Sequence, residues 1–282
     1  MDVLSPSTML SKYQLAPSKD RGQNFLDDPN VIRKVVDSAA VGPDDLVVEV
    51  GSGFGALTFG LAERADHVVA VELDSGIVRA FTEEYGEPSG ITLVAGDILD
   101  FDFAAACAES RREKLVVAGN IPYSVTSPLI ARLVDASEHV SRAVLMVQAE
   151  VGDRLTAGPG TTEYGRLSVV VQFHAVVRQL FTIRRTCFVP KPKVDSRVIE
   201  IDFASAPARD ADRTTFETVV AAAFGKRRKM LRGALAQLLS ERDATVEGLQ
   251  KASGIDLSRR GETLSVEEFE RLALAIDTTE TQ

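Results

Sequence analysis

The chain has 282 residues, 45% hydrophobic and 26% charged, enough for one large domain or a main domain with a small second one. Its 32 Lys and Arg against 41 Asp and Glu leave a formal charge of −9, which excludes a surface coated in positive charge for indiscriminate nucleic-acid or membrane binding but permits a local basic patch. Cys107 and Cys187 lie far apart, with no CxxC and no His/Cys cluster, so neither a disulfide framework nor a metal site is expected and the compartment reads as reducing.

The opening segment MDVLSPSTMLSKYQLAPSKDRGQNFL has neither a basic start nor a continuous apolar core, and does not read as a signal peptide. Next, Asp28 reads as a helix N-cap with Pro29 at the first helical position and Val31, Val35 and Val36 on one face. Strands are predicted at Leu46–Val50, His67–Val71, Ile91–Ala95, Leu115–Gly119 and Ala143–Val147. Helices are predicted between them at Ala56–Arg64, Ser75–Glu84 and Ser127–Val134. This alternation, running from Val31 to about Phe203, implies an α/β fold with a parallel sheet covered on both faces. The longest uncharged apolar run, Leu167–Val177, falls well short of the roughly 20 residues that span a bilayer, so no membrane partner is expected and the protein reads as cytoplasmic. ASAPARDADR then reads as a linker, followed by short amphipathic helices at Thr215–Ala223, Arg228–Leu239, Val246–Ala252 and Val266–Ala275. The expected organisation is a ligand-binding catalytic domain over residues 1–203 and a small all-helical domain over 204–282.

The first strand runs into VVEVGSGFGALTFG, placing Gly51, Gly53 and Gly55 where a sheet of this kind meets its ligand. Gly51, Gly53 and Ala56 also satisfy a dinucleotide fingerprint, with Glu72 about where a ribose-binding acid belongs. Three features favour a sulfonium cofactor, S-adenosylmethionine, over a nicotinamide. Glu49 would repel a pyrophosphate yet could help hold a cationic ammonium. Asp97, just after the third strand, could accept from an adenine amine or simply cap a helix. The fourth strand ends in Asn120-Ile121-Pro122-Tyr123 at the mouth of the same site.

An exocyclic base amine is a poor nucleophile because its lone pair is delocalised into the ring. Fixed acceptors for the amine hydrogens, the Asn120 side-chain carbonyl and the Ile121 backbone carbonyl, would turn the lone pair toward a methyl donor. Pro122 would stiffen the loop, and Tyr123 would offer its face to an extruded base. Neither a metal nor a strong base is required.

GQNFL at Gly22–Leu26, VEVGSGFGALT at Val48–Thr58, VELD at Val71–Asp74, GDIL at Gly96–Leu99, NIPY at Asn120–Tyr123 and CFVPKPKVDSRV at Cys187–Val198 occur in this order, followed by FGKRRKMLRGAL at Phe224–Leu235. Over nearly its whole length the chain resembles the small-subunit ribosomal RNA adenine dimethyltransferases of the KsgA type. The resemblance implies a Rossmann-like class I S-adenosylmethionine-dependent methyltransferase sheet with a helical C-terminal domain. It implies N6,N6-dimethylation of two adjacent adenosines in the 3′-terminal hairpin loop of 16S rRNA, within an assembling 30S-type subunit, by a monomeric enzyme. It places Asn24, Leu26, Gly51, Glu72, Asp97 and Asn120 at the cofactor, Tyr123 against the target base, and Phe188 on that base's opposite face unless it is a core residue. A large-subunit rRNA adenine methylase shares the glycine loop and NIPY, but SRRGETLSVEEF at Ser258–Phe269 and the Phe224–Leu235 segment resemble the KsgA type. A catalytically idle scaffold protein and a nicotinamide oxidoreductase remain alternatives from other classes.

Residues 1–203 hold 20 basic against 28 acidic side chains, or −8, and residues 204–282 hold 12 against 13, or −1. Within these totals Arg178, Arg184, Arg185, Lys191, Lys193 and Arg197 are offset only by Asp195, and Lys226, Arg227, Arg228, Lys229 and Arg232 contain no acid. Both clusters are expected to contact RNA phosphates, while the base pocket supplies selectivity.

Overall fold

The computed structural model describes residues 3–18, 21–226 and 228–279. Nine strands occur among them: β1 (Phe25–Leu26), β2 (Leu46–Val50), β3 (His67–Glu72), β4 (Ile91–Ala95), β5 (Leu115–Asn120), β6 (Val140–Gln148), β7 (Val176–Ile183), β8 (Phe188–Val189) and β9 (Ser196–Asp202). Seven form one sheet in the order β4-β3-β2-β5-β6-β9-β7. The five from β4 to β6 are parallel, whereas β9 runs antiparallel to both β6 and β7. The expected parallel sheet is therefore extended by an antiparallel pair. β1 and β8 form a separate ribbon, with Leu26 opposite Phe188.

Strands β2 and β5 are apolar except for Glu49 and the terminal Asn120 because both faces are covered: every residue of β2 is buried. Chain order reverses between β2 and β5, and their carboxyl ends diverge into different loops, which opens a crevice for a ligand. Gly119 permits the two strands to lie close, since a Cβ there would stand 2.4 Å from the Val50 carbonyl oxygen. The Asp28 side chain caps helix Pro29–Ala39, accepting from Asn30 and Val31 N–H groups, and Val35, Val36 and Ala39 bury its inner face. The helix predicted from Ala56 is shorter, Thr58–Ala62, because positive φ at Gly51, Gly53 and Gly55 keeps the chain in turns until residue 57. An N-terminal helix, Pro6–Lys12, was not anticipated; its Met9 is buried among Phe54, Ile77, Phe81 and Tyr85.

Two compact units emerge, one of residues 1–152 with 176–205 and another of 153–175 with 206–282. The expected cut at 203/204 is thus corrected: residues 153–175, assigned by sequence to the first domain, cluster with the C-terminal helices. Tyr164 donates its hydroxyl to the Leu264 carbonyl at 2.9 Å, and the Phe173 ring stacks on Phe216 at 3.7 Å. The second unit is helical, with Arg166–His174, Arg213–Gly225, Val246–Ser253 and Val266–Thr279 around a core including Phe216, Leu235 and Phe269. The helix predicted over Arg228–Leu239 is two short ones, Leu231–Ala234 and Ala236–Glu241. No helix among the described residues is long and apolar enough to cross a membrane.

Candidate active site

A cleft in the first unit opens at the carboxyl ends of β2, β3 and β5, the position dictated by the reversal of strand order. Asn24, Gly51, Glu72, Asp97, Asn120, Ile121, Pro122 and Tyr123, all expected from sequence, line it together. Gly51, at φ +67°, leaves open the space beside Asn120 and Pro122; a Cβ would come within 3.5 Å of the Asn120 backbone oxygen.

Glu72 ends β3 and is buried. Its Oε2 accepts from Gly53 N–H and its Oε1 from Asp74 N–H, each at 2.9 Å, so the acid is fastened to the glycine turn and to the start of the next helix. Burial raises its pKa, while these two amides pull the other way. Asp97 serves as a cap after β4, its Oδ1 accepting from Leu99 N–H at 2.9 Å, and it also faces the cleft. Both readings offered for it from sequence are compatible with this placement.

Asn120 is the last residue of β5. Its Nδ2 donates to the Asn24 backbone carbonyl at 2.6 Å, which commits the amide nitrogen to that contact and leaves Oδ1 as its acceptor. Ile121 donates N–H to Met146 oxygen at 3.1 Å, and Val125 N–H closes a turn on the Pro122 carbonyl at 3.1 Å before helix Thr126–Asp135. The Asn-Ile-Pro-Tyr segment is thereby fixed at both ends.

The structure places three of the expected site residues away from the cleft lining. Leu26 and Phe188 are 2% and 3% exposed, pair across the β1–β8 ribbon and pack in one apolar cluster. Neither lines the cleft, so their side chains are packing groups in this structure. Glu49 does not face the cleft either: it is buried in mid-β2, and burial pushes its pKa up to about 8, with the Thr58 hydroxyl opposing and Glu72 reinforcing the shift. Ser52 Oγ is buried without a hydrogen-bond partner behind the glycine turn.

Sequence reasoning missed Leu73, an exposed side chain lining the cleft beside Glu72, and Ile98, buried next to Asp97. An apolar residue directly after each expected acid was the available signal. It also missed the contacts that hold residues 21–23 to Asp74.

Of the basic side chains, Arg184, Arg185, Lys191 and Lys193 are exposed in the first unit, and Lys226, Arg228, Lys229 and Arg232 in the second. Arg227 lies outside the described residues. Arg178 is instead engaged by Glu200 and Asp202 across the β7–β9 pair. Among the described residues no cluster of His, Cys, Asp and Glu could hold a metal ion.

Strand order and cleft position are those of a Rossmann-like class I methyltransferase, and the chain has a second, helical unit. Solved structures agree on the fold. A dimethyladenosine transferase from Plasmodium falciparum superposes with a TM-score of 0.75 at 22% identity, covering 90% of this chain and 98% of that one. The 23S rRNA methyltransferase ErmE superposes at 0.70 with 25% identity, covering 90% and 99%. Residues 17–276 match the Ribosomal RNA adenine dimethylase family, to which this chain belongs. It is 44% identical over 262 residues to Ribosomal RNA small subunit methyltransferase A of Moorella thermoacetica, spanning 90% of this chain and 91% of that protein. Identity to the protein of the same name from Clostridium acetobutylicum is 40% over 275 residues, spanning 97% and 98%. The chain is an rRNA adenine dimethyltransferase.

Proposed function

We propose that this enzyme dimethylates N6 of two adjacent adenosines in the 3′-terminal hairpin loop of small-subunit (16S) rRNA, late in small-subunit biogenesis, as a cytoplasmic monomer. Preference for the small subunit is supported by relatives of that name at 44% and 40% identity, against 25% for the large-subunit enzyme ErmE. S-adenosylmethionine is the methyl donor in this reading. The residues present suit it: a glycine turn at positive φ lining the cleft, a fixed carboxylate at the end of β3, and a second carboxylate after β4.

When bound, the cofactor supplies an electrophilic sulfonium methyl whose departure leaves a neutral thioether. The protein's part is to hold and orient. Gly51 and Asn24 border the methionine half, Glu72 accepts from the ribose hydroxyls, and Asp97 accepts from the adenine amine while Leu73 and Ile98 supply apolar contact. The target adenosine is extruded onto the Tyr123 ring, within the loop that Pro122 stiffens. Asn120 Oδ1 and the Ile121 carbonyl accept hydrogen bonds from the target amine and turn its lone pair outward. The proton is lost to solvent after transfer, so no buried base is called upon.

The observation that carries this reading is the Asn120–Asn24 hydrogen bond, because it engages the amide nitrogen and leaves Oδ1 as the acceptor of Asn120. Arg184, Arg185, Lys191 and Lys193, together with Lys226, Arg228, Lys229 and Arg232, contact rRNA phosphates and set register. Incubation with methyl-labelled S-adenosylmethionine and ribosomal subunits from cells lacking the methylation tests the reading. Label in the 3′-terminal hairpin of the small-subunit RNA is expected, and label confined to large-subunit RNA overturns it.

A further inference from the structure

Asn120 can be oriented by Asn24 only if the strap carrying Asn24 is itself held in place. That strap is short and polar: Gly22 sits at φ +63°, Asn24 Nδ2 bonds to the Gly22 carbonyl, and Gln23 Oε1 accepts from Ser18 N–H. Ahead of the β1–β8 pairing, its side chains are tied to the body of the fold by Asp74. Oδ2 of Asp74 accepts from Arg21 Nη1 at 2.6 Å and from Gln23 Nε2 at 3.1 Å. Oδ1 faces the other way and caps helix Ser75–Tyr85 through Gly76 and Ile77 N–H groups. The backbone N–H of Asp74 is bonded to Glu72. Burial acts to raise the Asp74 pKa, but the Gln23 amide, the two helix N–H groups and Arg21 outweigh it, so the carboxylate stays ionised.

We propose that Asp74 is a positioning residue for methyl transfer: its Oδ2 latches residues 21–24 across the cleft so that the Asn24 carbonyl fixes the Asn120 amide. A continuous chain of bonds then runs from Gly53 through Glu72, Asp74, the strap and Asn24 to Asn120, joining the proposed ribose acid to the proposed amine acceptor. One oxygen serves the helix and the other serves the strap, so the two roles are separable by substitution. The proposal rests on the reading of Asn120 as the acceptor for the target amine.

Asp74→Asn and Asp74→Ser both retain a helix-capping oxygen. Neither keeps a free carboxylate oxygen for Arg21 and Gln23. Both variants are expected to unfold at the wild-type temperature, while kcat on unmethylated small subunits at saturating cofactor falls about ten- to a hundredfold, the scale of a small misplacement at a reacting centre. Arg21→Ala/Gln23→Ala removes the latch from the strap side and is expected to reproduce the loss. Combining it with Asp74→Asn should add nothing, because the bond can be lost once. Wild-type kcat in Asp74→Asn and Asp74→Ser overturns the latch, as do losses that multiply in the combined variant. Full activity of Asn120→Ala in the same assay would instead remove the premise concerning Asn120, leaving the two failures distinguishable.

Discussion

Asn120 and Asn24, 96 residues apart, meet through a 2.6 Å hydrogen bond in which the Asn120 amide nitrogen donates to the Asn24 backbone carbonyl. The contact decides which end of an otherwise symmetrical amide is offered to the substrate. Asn120→Ala is expected to lower kcat by about 10²–10³, the cost of removing one preorganised group from a charge-developing site. Cofactor affinity, measured by titration in the absence of RNA, should fall much less. Asn120→Asp keeps an acceptor but cannot donate to Asn24, and an intermediate kcat is expected. A loss of affinity with kcat unchanged would assign Asn120 to binding alone.

Glu72 holds two backbone N–H groups as well as facing the cleft. Glu72→Ala leaves both without their acceptor and should cost about 1–3 kcal/mol of stability for each group that stays buried. Glu72→Gln retains one acceptor and should fold, yet bind cofactor more weakly. Calorimetric titration of the folded Gln variant checks this; unchanged affinity would remove Glu72 from the cofactor site.

Glu49 makes folding stability depend on pH. Its pKa rises from an ordinary 4.5 in the unfolded chain to about 8 in the fold, so between those values the folded protein binds the extra proton. Stability is therefore full below the unfolded pKa, declines as pH rises, and levels off above about 8, each unit of separation being worth about 1.4 kcal/mol. Urea midpoints measured across this range should fall with pH in the wild type. Glu49→Gln cannot ionise and should lose the larger part of that slope, a remainder persisting because burial also raises Glu72. Identical slopes in both proteins would contradict the assignment.

A methyl group at Gly119 has no room, since the nearest obstacle is the Val50 backbone and not a flexible side chain tip. Gly119→Ala should destabilise by at least about 1–3 kcal/mol, the usual penalty for overpacking, and displace the adjoining Asn120. Denaturant unfolding provides the stability and the methylation assay the displacement. Wild-type behaviour in both would mean that β2 and β5 separate more easily than their register implies.

The basic segment of the second unit should reveal itself in salt dependence. Arg228→Glu/Lys229→Glu is expected to weaken binding to small subunits and flatten the plot of log affinity against log salt by roughly one unit for each phosphate no longer neutralised. An unchanged slope would leave Arg228 and Lys229 as solvated side chains.

Much of the sheet was legible because its burial leaves a local trace. Strands β2 and β5 are apolar but for Glu49 and the terminal Asn120, and Asp28-Pro29 marks a helix start at the residues observed. The cleft was legible for a related reason, since glycines and carboxylates at strand ends have few uses outside ligand binding. What escaped depends on partners distant in sequence. Phe188 looks the same in a pocket as in a core, and its pairing with Leu26 decides between them. Arg178 reads as a free cation until β7 is set against β9 and Glu200 arrives opposite it. The run Leu167–Val177 crosses from helix Arg166–His174 into strand β7, and an apolar stretch without periodicity does not announce that change.

The most direct test is nucleoside analysis of the 3′-terminal fragment of small-subunit RNA after reaction to completion, with excess S-adenosylmethionine, with the wild type and, for the same time, with Asn120→Ala. Dimethyladenosine at two adjacent positions of the 3′-terminal hairpin is expected with the wild type, and little or none with the variant. Dimethyladenosine formed equally well by Asn120→Ala, or methyl groups on another atom or another base, would contradict the account of how this site acts.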